Sequence, residues 1–325
     1  MTVQQPAEIV VAGAGMVAHR FVESLLSRDA AVRVTVVGEE PLGPYDRVGL
    51  TGFLDGATVD DLALDPAVFD DDRVTLLTGE RVQRIDRRDA HAVTRSGRRL
   101  RYDTLVLATG SSAARVAVDG ADLPGCFVYR TLDDVRGLRD FVRRRGAELG
   151  RPLRGAEIGG GLLGLEAAGA LQGLGVDCTV VQYSDRLMSA QLDPAAGRML
   201  RRLIEARGIA VRTEARTTRL DPDASGQVTG LEFQDGSLHE ADVVVFTVGV
   251  RPRDELAREA GLAVHPRGGV LIDEHCTTSD RRILAIGEVA CFEGRTVGLV
   301  APGYAMAEVA ASRLLGGDAR CSSTR

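Results

Sequence analysis

Two glycine clusters in this 325-residue chain have the spacing to do chemistry. Gly13-Ala-Gly15-Met-Val-Ala18 follows the apolar run Glu8–Ala12 and opens an amphipathic stretch. In such a cluster the first glycine permits a tight turn and the second lets an anion approach the backbone. The helix that follows offers exposed N–H groups and the positive end of its dipole. Ala18 keeps helix and strand close. Glu39 ends the next apolar run, where a carboxylate accepts hydrogen bonds from ribose hydroxyls. Pyrophosphate and ribose together make a dinucleotide. The same pattern returns about 145 residues later as Gly159-Gly-Gly161-Leu-Leu-Gly164, after Ala156–Ile158.

The second cluster differs at the acidic position. Val180-Val181 leads to Gln182. Neutral Gln hydrogen-bonds a ribose yet repels a 2′-phosphate less than a carboxylate does, and Arg186 is near enough in sequence to meet such a phosphate. NADH against NADPH stays open on these residues, with a lean to NADH.

The elements that must position these groups are legible from periodicity. Glu8–Ala12, a helix over about Met16–Ser27 and a strand Val32–Val37 make β-turn-α-β, the unit of a parallel sheet. Pro41–Gly52 is a Gly/Pro-rich loop, and the acidic stretch Asp60–Asp72 reads as helical turns and loop. Val74–Leu77, Arg81–Asp86 and His91–Arg95 read as short antiparallel strands. Thr104–Ala108 is an apolar strand ending at Thr109-Gly110. The second β-turn-α-β runs Ala156–Ile158, Leu162–Leu174 and Cys178–Val181. A helix over about Pro194–Arg207 follows, and Val243–Thr247 closes that unit. The late strand Ile283–Ile286 and a helix over about Pro302–Leu315 have no glycine cluster of their own. They are expected to rejoin the first sheet, so that the second domain is inserted in the first. The expected fold class is α/β with two Rossmann-like domains. Residues 1–117 and 248–325 form one domain and residues 118–247 the inserted one.

Bulk properties narrow the chemistry. An apolar fraction of 44% and a charged fraction of 26% are those of a globular protein. A net charge of −6 does not suggest a nucleic-acid partner, whose binders usually show a basic face. All 40 basic residues are arginine, which excludes a Schiff-base or P-loop lysine. No apolar run reaches the roughly 20 residues of a membrane span, and Met1–Pro6 lacks a signal-peptide pattern. Cys126, Cys178, Cys276, Cys291 and Cys321 form no CxxC pair, no zinc pattern and no evident disulfide framework. A cytoplasmic setting is expected. His19 is read as a packing residue more than a cofactor neighbour. His275 and Cys276 lack partner ligands for a metal, and Arg143–Arg145 is read as a solvated helix face.

Two further signals separate a flavoprotein from a plain dehydrogenase: Leu105-Val-Leu-Ala-Thr109-Gly110 and Thr278-Ser-Asp-Arg-Arg-Ile-Leu-Ala-Ile-Gly287-Glu288. Taken with the two glycine clusters, the chain resembles the flavoprotein reductases with two dinucleotide-binding domains. It is most similar to the N-terminal flavin module of the large subunit of assimilatory NAD(P)H nitrite reductase. Further residues carrying the likeness are Gly43–Val48, Leu123–Thr131, Ile158–Glu166, Arg186–Met188, Gly249–Pro252 and Gly298–Tyr304.

The resemblance implies roles. Gly13, Gly15 and Ala18 would hold the FAD pyrophosphate and Glu39 its adenosine ribose. Thr109 and Gly110 would pass close to the FAD, and Gly287-Glu288 would meet the ribityl chain. Gly159, Gly161 and Gly164 would hold the NAD(P)H pyrophosphate, with Gln182 at the ribose. Glu166 would lie near the flavin–nicotinamide junction, Gly249 would border the nicotinamide nucleotide, and Arg47 and Arg130 would line the flavin side. FAD is then the cofactor and NAD(P)H the substrate, with hydride transfer carried by the cofactors and no catalytic side chain or metal. The partner would be an iron–sulfur or sirohaem electron acceptor, with a homodimer as a further expectation.

Departures accompany the likeness. Pro41–Leu54 holds no cysteine, so dithiol chemistry there is not supported. A C-terminal interface domain is expected to be absent, and Cys321 alone is no cluster site. Two rival readings stand beside the first: a stand-alone ferredoxin- or rubredoxin-type reductase, and a truncated, non-catalytic FAD-binding protein.

Overall fold

The computed structural model describes residues 6–322. Met1–Gln5, which carry most of the expectation of no signal peptide, lie outside the described residues. The chain divides into two compact units. One comprises the chain up to Asp46, Ala63–Ser112 and everything from Arg251 on. The other comprises Arg47–Leu62 and Ala113–Val250. The stretch Arg47–Leu62 therefore groups with the second unit, away from the segments that flank it in sequence.

The first unit is built on a five-stranded sheet ordered Ile283–Ala285, Thr104–Leu107, Ala7–Ala12, Val32–Val37, Val74–Leu77. All four pairings are parallel. Ile9, Val10, Val11 and Ala12 are all buried, which is why this central strand is continuously apolar rather than alternating. The Met16–Leu26 helix buries Phe21, Val22 and Leu25 and packs against the Val300–Leu314 helix. The late strand joins the first sheet as expected, with Ile283 opposite Leu105 and Ala285 opposite Leu107.

One expectation is corrected. Val74–Leu77 is not antiparallel: Val74 pairs with Val34 and Leu77 with Val37 in parallel register. It is an edge strand with only Val74 fully buried. One covered edge gives it the weak alternation of a hairpin strand. The antiparallel set is Val82–Asp86, His91–Thr94 and Arg99–Arg101.

The second unit repeats the plan. Its sheet is ordered Ala210–Arg212, Asp177–Val181, Arg154–Ile158, Val243–Phe246, Cys126–Val128, again wholly parallel. The Leu132–Leu149 helix starts at a capping box in which Thr131 and Asp134 satisfy each other's backbone N–H groups. It ends on Gly150 at φ 63°. Within it Arg143 and Arg144 are exposed and Arg145 pairs with Glu148 and Asp223.

Asp242 anchors one end of this sheet. It is only 6% exposed and accepts from both Arg151 terminal nitrogens at 2.7 and 2.9 Å and from the Arg154 backbone N–H at 2.8 Å. Burial opposes its charge, yet the Arg151 and Arg154 hydrogen bonds win and hold its pKa down to about 2. A lowered carboxylate pKa stabilises the fold above the unfolded value, and that contribution is lost as pH falls toward the folded value. Between about pH 4 and pH 2 wild type should therefore lose about 2 kcal/mol that Asp242→Asn never had. Urea midpoints measured across that range should converge; midpoints that stay parallel would remove Asp242 from the acid response.

Candidate functional site

In the first unit the carboxyl ends of the central strands bring the expected groups together. Ala12 lies opposite Val37 and Leu107, and Leu107 opposite Ala285. The residues just beyond these are Gly13, Gly38-Glu39, Ala108–Gly110 and Ile286–Glu288. In open α/β sheets this edge is where ligands bind. Gly13 has φ +116°, and a Cβ there would strike the Ala108 carbonyl, its carbon 2.6 Å away. This glycine is demanded by the fold itself. Gly15 is different. It caps the Met16–Leu26 helix in an extended conformation any residue adopts, no side chain caps the helix, and a Cβ would meet nothing within 4 Å.

The second unit repeats this arrangement closely. Gly159 has φ +135°, and a Cβ would sit 2.6 Å from Thr247 Oγ1. A Cβ on Gly164 would run into the Gly159 carbonyl. Gly161 caps the Leu162–Gly173 helix with φ −86° and ψ −173°, against −92° and −173° at Gly15. It too lacks a side-chain cap and would place its Cβ in open space. A helix leaves its first-turn N–H groups without intrahelical acceptors, and neither first turn contains an acidic residue. Each cradle thus pairs donors with a gap that a side chain would fill. A pyrophosphate fits either cradle.

Around the first cradle, Glu39 is held by Arg253 and lies 3.5 Å from Arg81. Partial burial opposes its charge, but the Arg253 hydrogen bond and charge keep its carboxyl below the usual range. An ionised acceptor there suits a ribose. Thr109 donates to the Arg253 carbonyl at 2.7 Å, and Ser111 donates to Glu288 at 2.7 Å. Gly110 at φ +67° has open space where its Cβ would be, while Gly287 at φ +74° packs against Val17. Ala18 is buried in the helix's first turn.

Around the second cradle, two expected binders are occupied by the protein. The Gln182 amide oxygen accepts from the Gly160 N–H at 2.7 Å, and its NH₂ donates to Ser184. Arg186 donates to the carbonyls of Leu192 and Ser189 and to Asp185. Both side chains shape the loop that follows the Asp177–Val181 strand. Gly249, at φ +103°, lies past the end of Val243–Phe246 with nothing within 4 Å of its Cβ position.

Glu166 sits on the Leu162–Gly173 helix. It accepts from Thr51 Oγ1, which also lies 3.0 Å from the Tyr129 hydroxyl. Burial pushes the Tyr129 phenol up to about 12, so it stays protonated. Arg47 donates to the Arg130 carbonyl at 3.4 Å, so both expected arginines are neighbours in the second unit.

Sequence reasoning missed several partners. Glu157 is fully buried beside the second cradle, bonded by Thr247 Oγ1. Burial pushes its carboxyl well above the ordinary range despite that bond. An ionisable residue inside an apolar parallel strand was the available signal. Arg253, Thr51 and Tyr129 had none, because only the fold brings them to their partners. His19 is buried, its ring nitrogen 2.9 Å from the Asp65 carbonyl and its edge on Phe69, a packing role. Among the described residues no group of three or more His, Cys, Asp or Glu is arranged to hold a metal, and no helix is long and apolar enough to cross a membrane.

Comparison with known proteins agrees with this geometry. The family model for pyridine nucleotide-disulphide oxidoreductases matches residues 7–312. The NADH nitrite reductase large subunit of Escherichia coli is 42% identical over 95% of this chain, which spans 36% of that relative's length. The ferredoxin–NAD(+) reductase component of the anthranilate 1,2-dioxygenase system of Burkholderia cepacia is 37% identical, covering 95% of this chain and 76% of its own. The crystal structure of a ferredoxin reductase from Rhodopseudomonas palustris superposes with a TM-score of 0.89 at 30% identity, over 98% of this chain and 78% of that one. Twin cradles, matched motifs and these likenesses place the chain in the pyridine nucleotide-disulphide oxidoreductase family of FAD- and NAD(P)H-dependent enzymes.

Proposed function

We propose that the first unit binds FAD, the second binds NAD(P)H, and the chain takes hydride from the nicotinamide and passes electrons to an iron–sulfur or sirohaem acceptor. The observation that carries this reading is the pair of helix N-termini at Gly15 and Gly161, alike in backbone angles and open where a Cβ would stand. The bound flavin supplies the hydride-accepting and one-electron chemistry. The residues of the chain orient and hold. First-turn N–H groups take the phosphates, and Glu39 takes the adenosine ribose once Arg253 shares it. Ser111 fixes the Glu288 carboxylate toward the ribityl chain. Thr51, beside Tyr129, fixes the Glu166 carboxylate toward the nicotinamide end.

The acceptor is proposed from the relatives. The nitrite reductase likeness favours a redox centre in a longer polypeptide or a partner, since this chain spans about a third of that relative. The ferredoxin reductases favour a small iron–sulfur protein. Stopped-flow reoxidation of the reduced flavin by a [2Fe–2S] ferredoxin, against the sirohaem-bearing portion of a nitrite reductase, separates the two. Reoxidation by neither would overturn the electron-transfer reading.

NADH is the expected coenzyme. Gln182 and Arg186 are spent on the loop, so no free arginine is presented by that loop to a 2′-phosphate. NADH should be used at least ~10-fold better than NADPH, about 1.4 kcal/mol, and Arg186→Ala should leave NADPH use no weaker relative to NADH. A selective loss of NADPH use in that variant would show that Arg186 meets the phosphate.

A further inference from the structure

Cys276 and Cys321 stand 45 positions apart in sequence, with their sulfurs 3.3 Å apart. Cys276 is buried, and its Sγ also lies 3.6 Å from the Met306 carbonyl. Cys321 is half-buried and reachable from solvent. The approach is built rather than incidental. The Cys321 N–H donates to the Glu274 carbonyl at 2.7 Å, and His275 Nδ1 lies 2.9 Å from the Ala319 carbonyl. Arg320 lies 3.7 Å from Glu274, and Arg313 donates to Thr277 at 3.0 Å. These bonds fasten the end of the Val300–Leu314 helix and the segment after it to the loop that holds Cys276. Cys276 itself holds φ +60°, a left-handed backbone that non-glycine residues adopt at a cost and that tends to mark functional positions.

The pair differs from the other three cysteines. Burial pushes the Cys126 thiol up to about 12 and raises Cys178 and Cys291, so all three are poor nucleophiles. Within the pair the hydrogen bond from Cys276 favours the Cys321 thiolate and lowers its pKa, while that bond and burial raise Cys276. The half-buried sulfur, reachable from solvent, is the nucleophile and the fully buried one its partner, the division found in thiols that oxidise reversibly.

We propose that Cys276 and Cys321 are a redox modification site, closing to a disulfide when a hydroperoxide oxidises Cys321. The Cys321 sulfur attacks the peroxide, an S–O bond forms, the O–O bond breaks, and the alkoxide or hydroxide leaves and is protonated. Cys321 is then a sulfenic acid, oxidised by two electrons, and the peroxide is reduced to an alcohol or water. The Cys276 sulfur next attacks the Cys321 sulfur. The S–S bond forms, the S–O bond breaks, and the departing hydroxide takes the Cys276 proton to become water. Two thiols and one hydroperoxide thus give one disulfide, one alcohol or water, and one further water. The sulfurs need only close from 3.3 Å to the roughly 2.0 Å of a disulfide. The product ties the segment after the Val300–Leu314 helix covalently to the loop at Asp273–Thr277.

The test uses the full chain, reduced, desalted and exposed to one equivalent of hydrogen peroxide before alkylation and tryptic mass spectrometry. Cleavage at Arg281 and Arg320 puts the two cysteines on separate peptides. The expected result is a Cys276–Cys321 cross-linked peptide, with titratable thiols falling from the five of the sequence by two and restored by dithiothreitol. In Cys276→Ser, dimedone should trap Cys321 as a sulfenic acid. Overturning results are wild type in which Cys321 runs on to sulfinic acid with no cross-link, wild type in which neither cysteine reacts, or a dimedone adduct absent from Cys321 in Cys276→Ser.

Discussion

Gly161→Val should slow reduction at low NADH concentration ~100-fold or more while leaving bound flavin in place. The reason is the contrast among the glycines of the second cluster. Gly159 and Gly164 are required by the protein's own packing: added Cβ atoms meet Thr247 or the Gly159 carbonyl. Gly161 meets nothing, and its φ of −86° suits any residue. Valine there should not disturb folding. It occupies the space in front of the Leu162–Gly173 first turn and holds a pyrophosphate away from its N–H groups. Charge-assisted hydrogen bonds are worth about 1.5–3 kcal/mol each. Losing the equivalent of one or two should weaken NADH binding ~100-fold or more, about 3 kcal/mol. Stopped-flow rates against NADH concentration, with the flavin spectrum and thermal midpoint as controls, check this. Wild-type reduction by NADH and NADPH would remove the second cradle from nucleotide binding.

The matching substitution in the first unit should cost the flavin itself. Gly15→Val places its side chain in the equivalent gap, at φ −92° and again with no protein atom within 4 Å. The variant should purify colourless, its FAD affinity down by ~100-fold or more, about 3 kcal/mol. Bound ligand stabilises a fold by mass action, so midpoints should be compared between apo forms, where variant and wild type should agree. Gly13→Val is the contrasting control. A positive φ and a clash with Ala108 make it a folding defect, so it should lose flavin and stability together. If Gly15→Val retains a wild-type flavin spectrum and affinity, no pyrophosphate sits on that helix.

The unequal success of sequence reasoning has physical causes. Parallel strands buried on both faces write themselves as apolar runs, so Ile9–Ala12 and Val243–Phe246 were legible, as was the return of Ile283–Ala285 to the first sheet. Val74–Leu77 was misread as antiparallel because an edge strand covered on one side has the alternation of a hairpin strand. The glycine spacing located both turns, and structure then separates glycines the fold needs, such as Gly13, from those it leaves open, such as Gly15. No sequence pattern carries that distinction. Gln182 and Arg186 illustrate the opposite limit: a side chain with suitable chemistry at a suitable position is tied to its own loop once the backbone is in place. The Thr51–Tyr129–Glu166 and Glu39–Arg253 contacts span long stretches of chain, so local reasoning had no access to them.

The most direct measurement is anaerobic. The purified protein, reconstituted with FAD if needed, is mixed with NADH and its visible flavin absorbance followed. Bleaching within seconds, faster with NADH than with NADPH, is the expected result and would establish hydride transfer from nicotinamide to flavin in this chain. A protein that binds FAD but does not bleach with either nucleotide would contradict the reductase reading and leave a flavin-binding protein without the activity. A chain that takes up no FAD at all would contradict it at the first cradle.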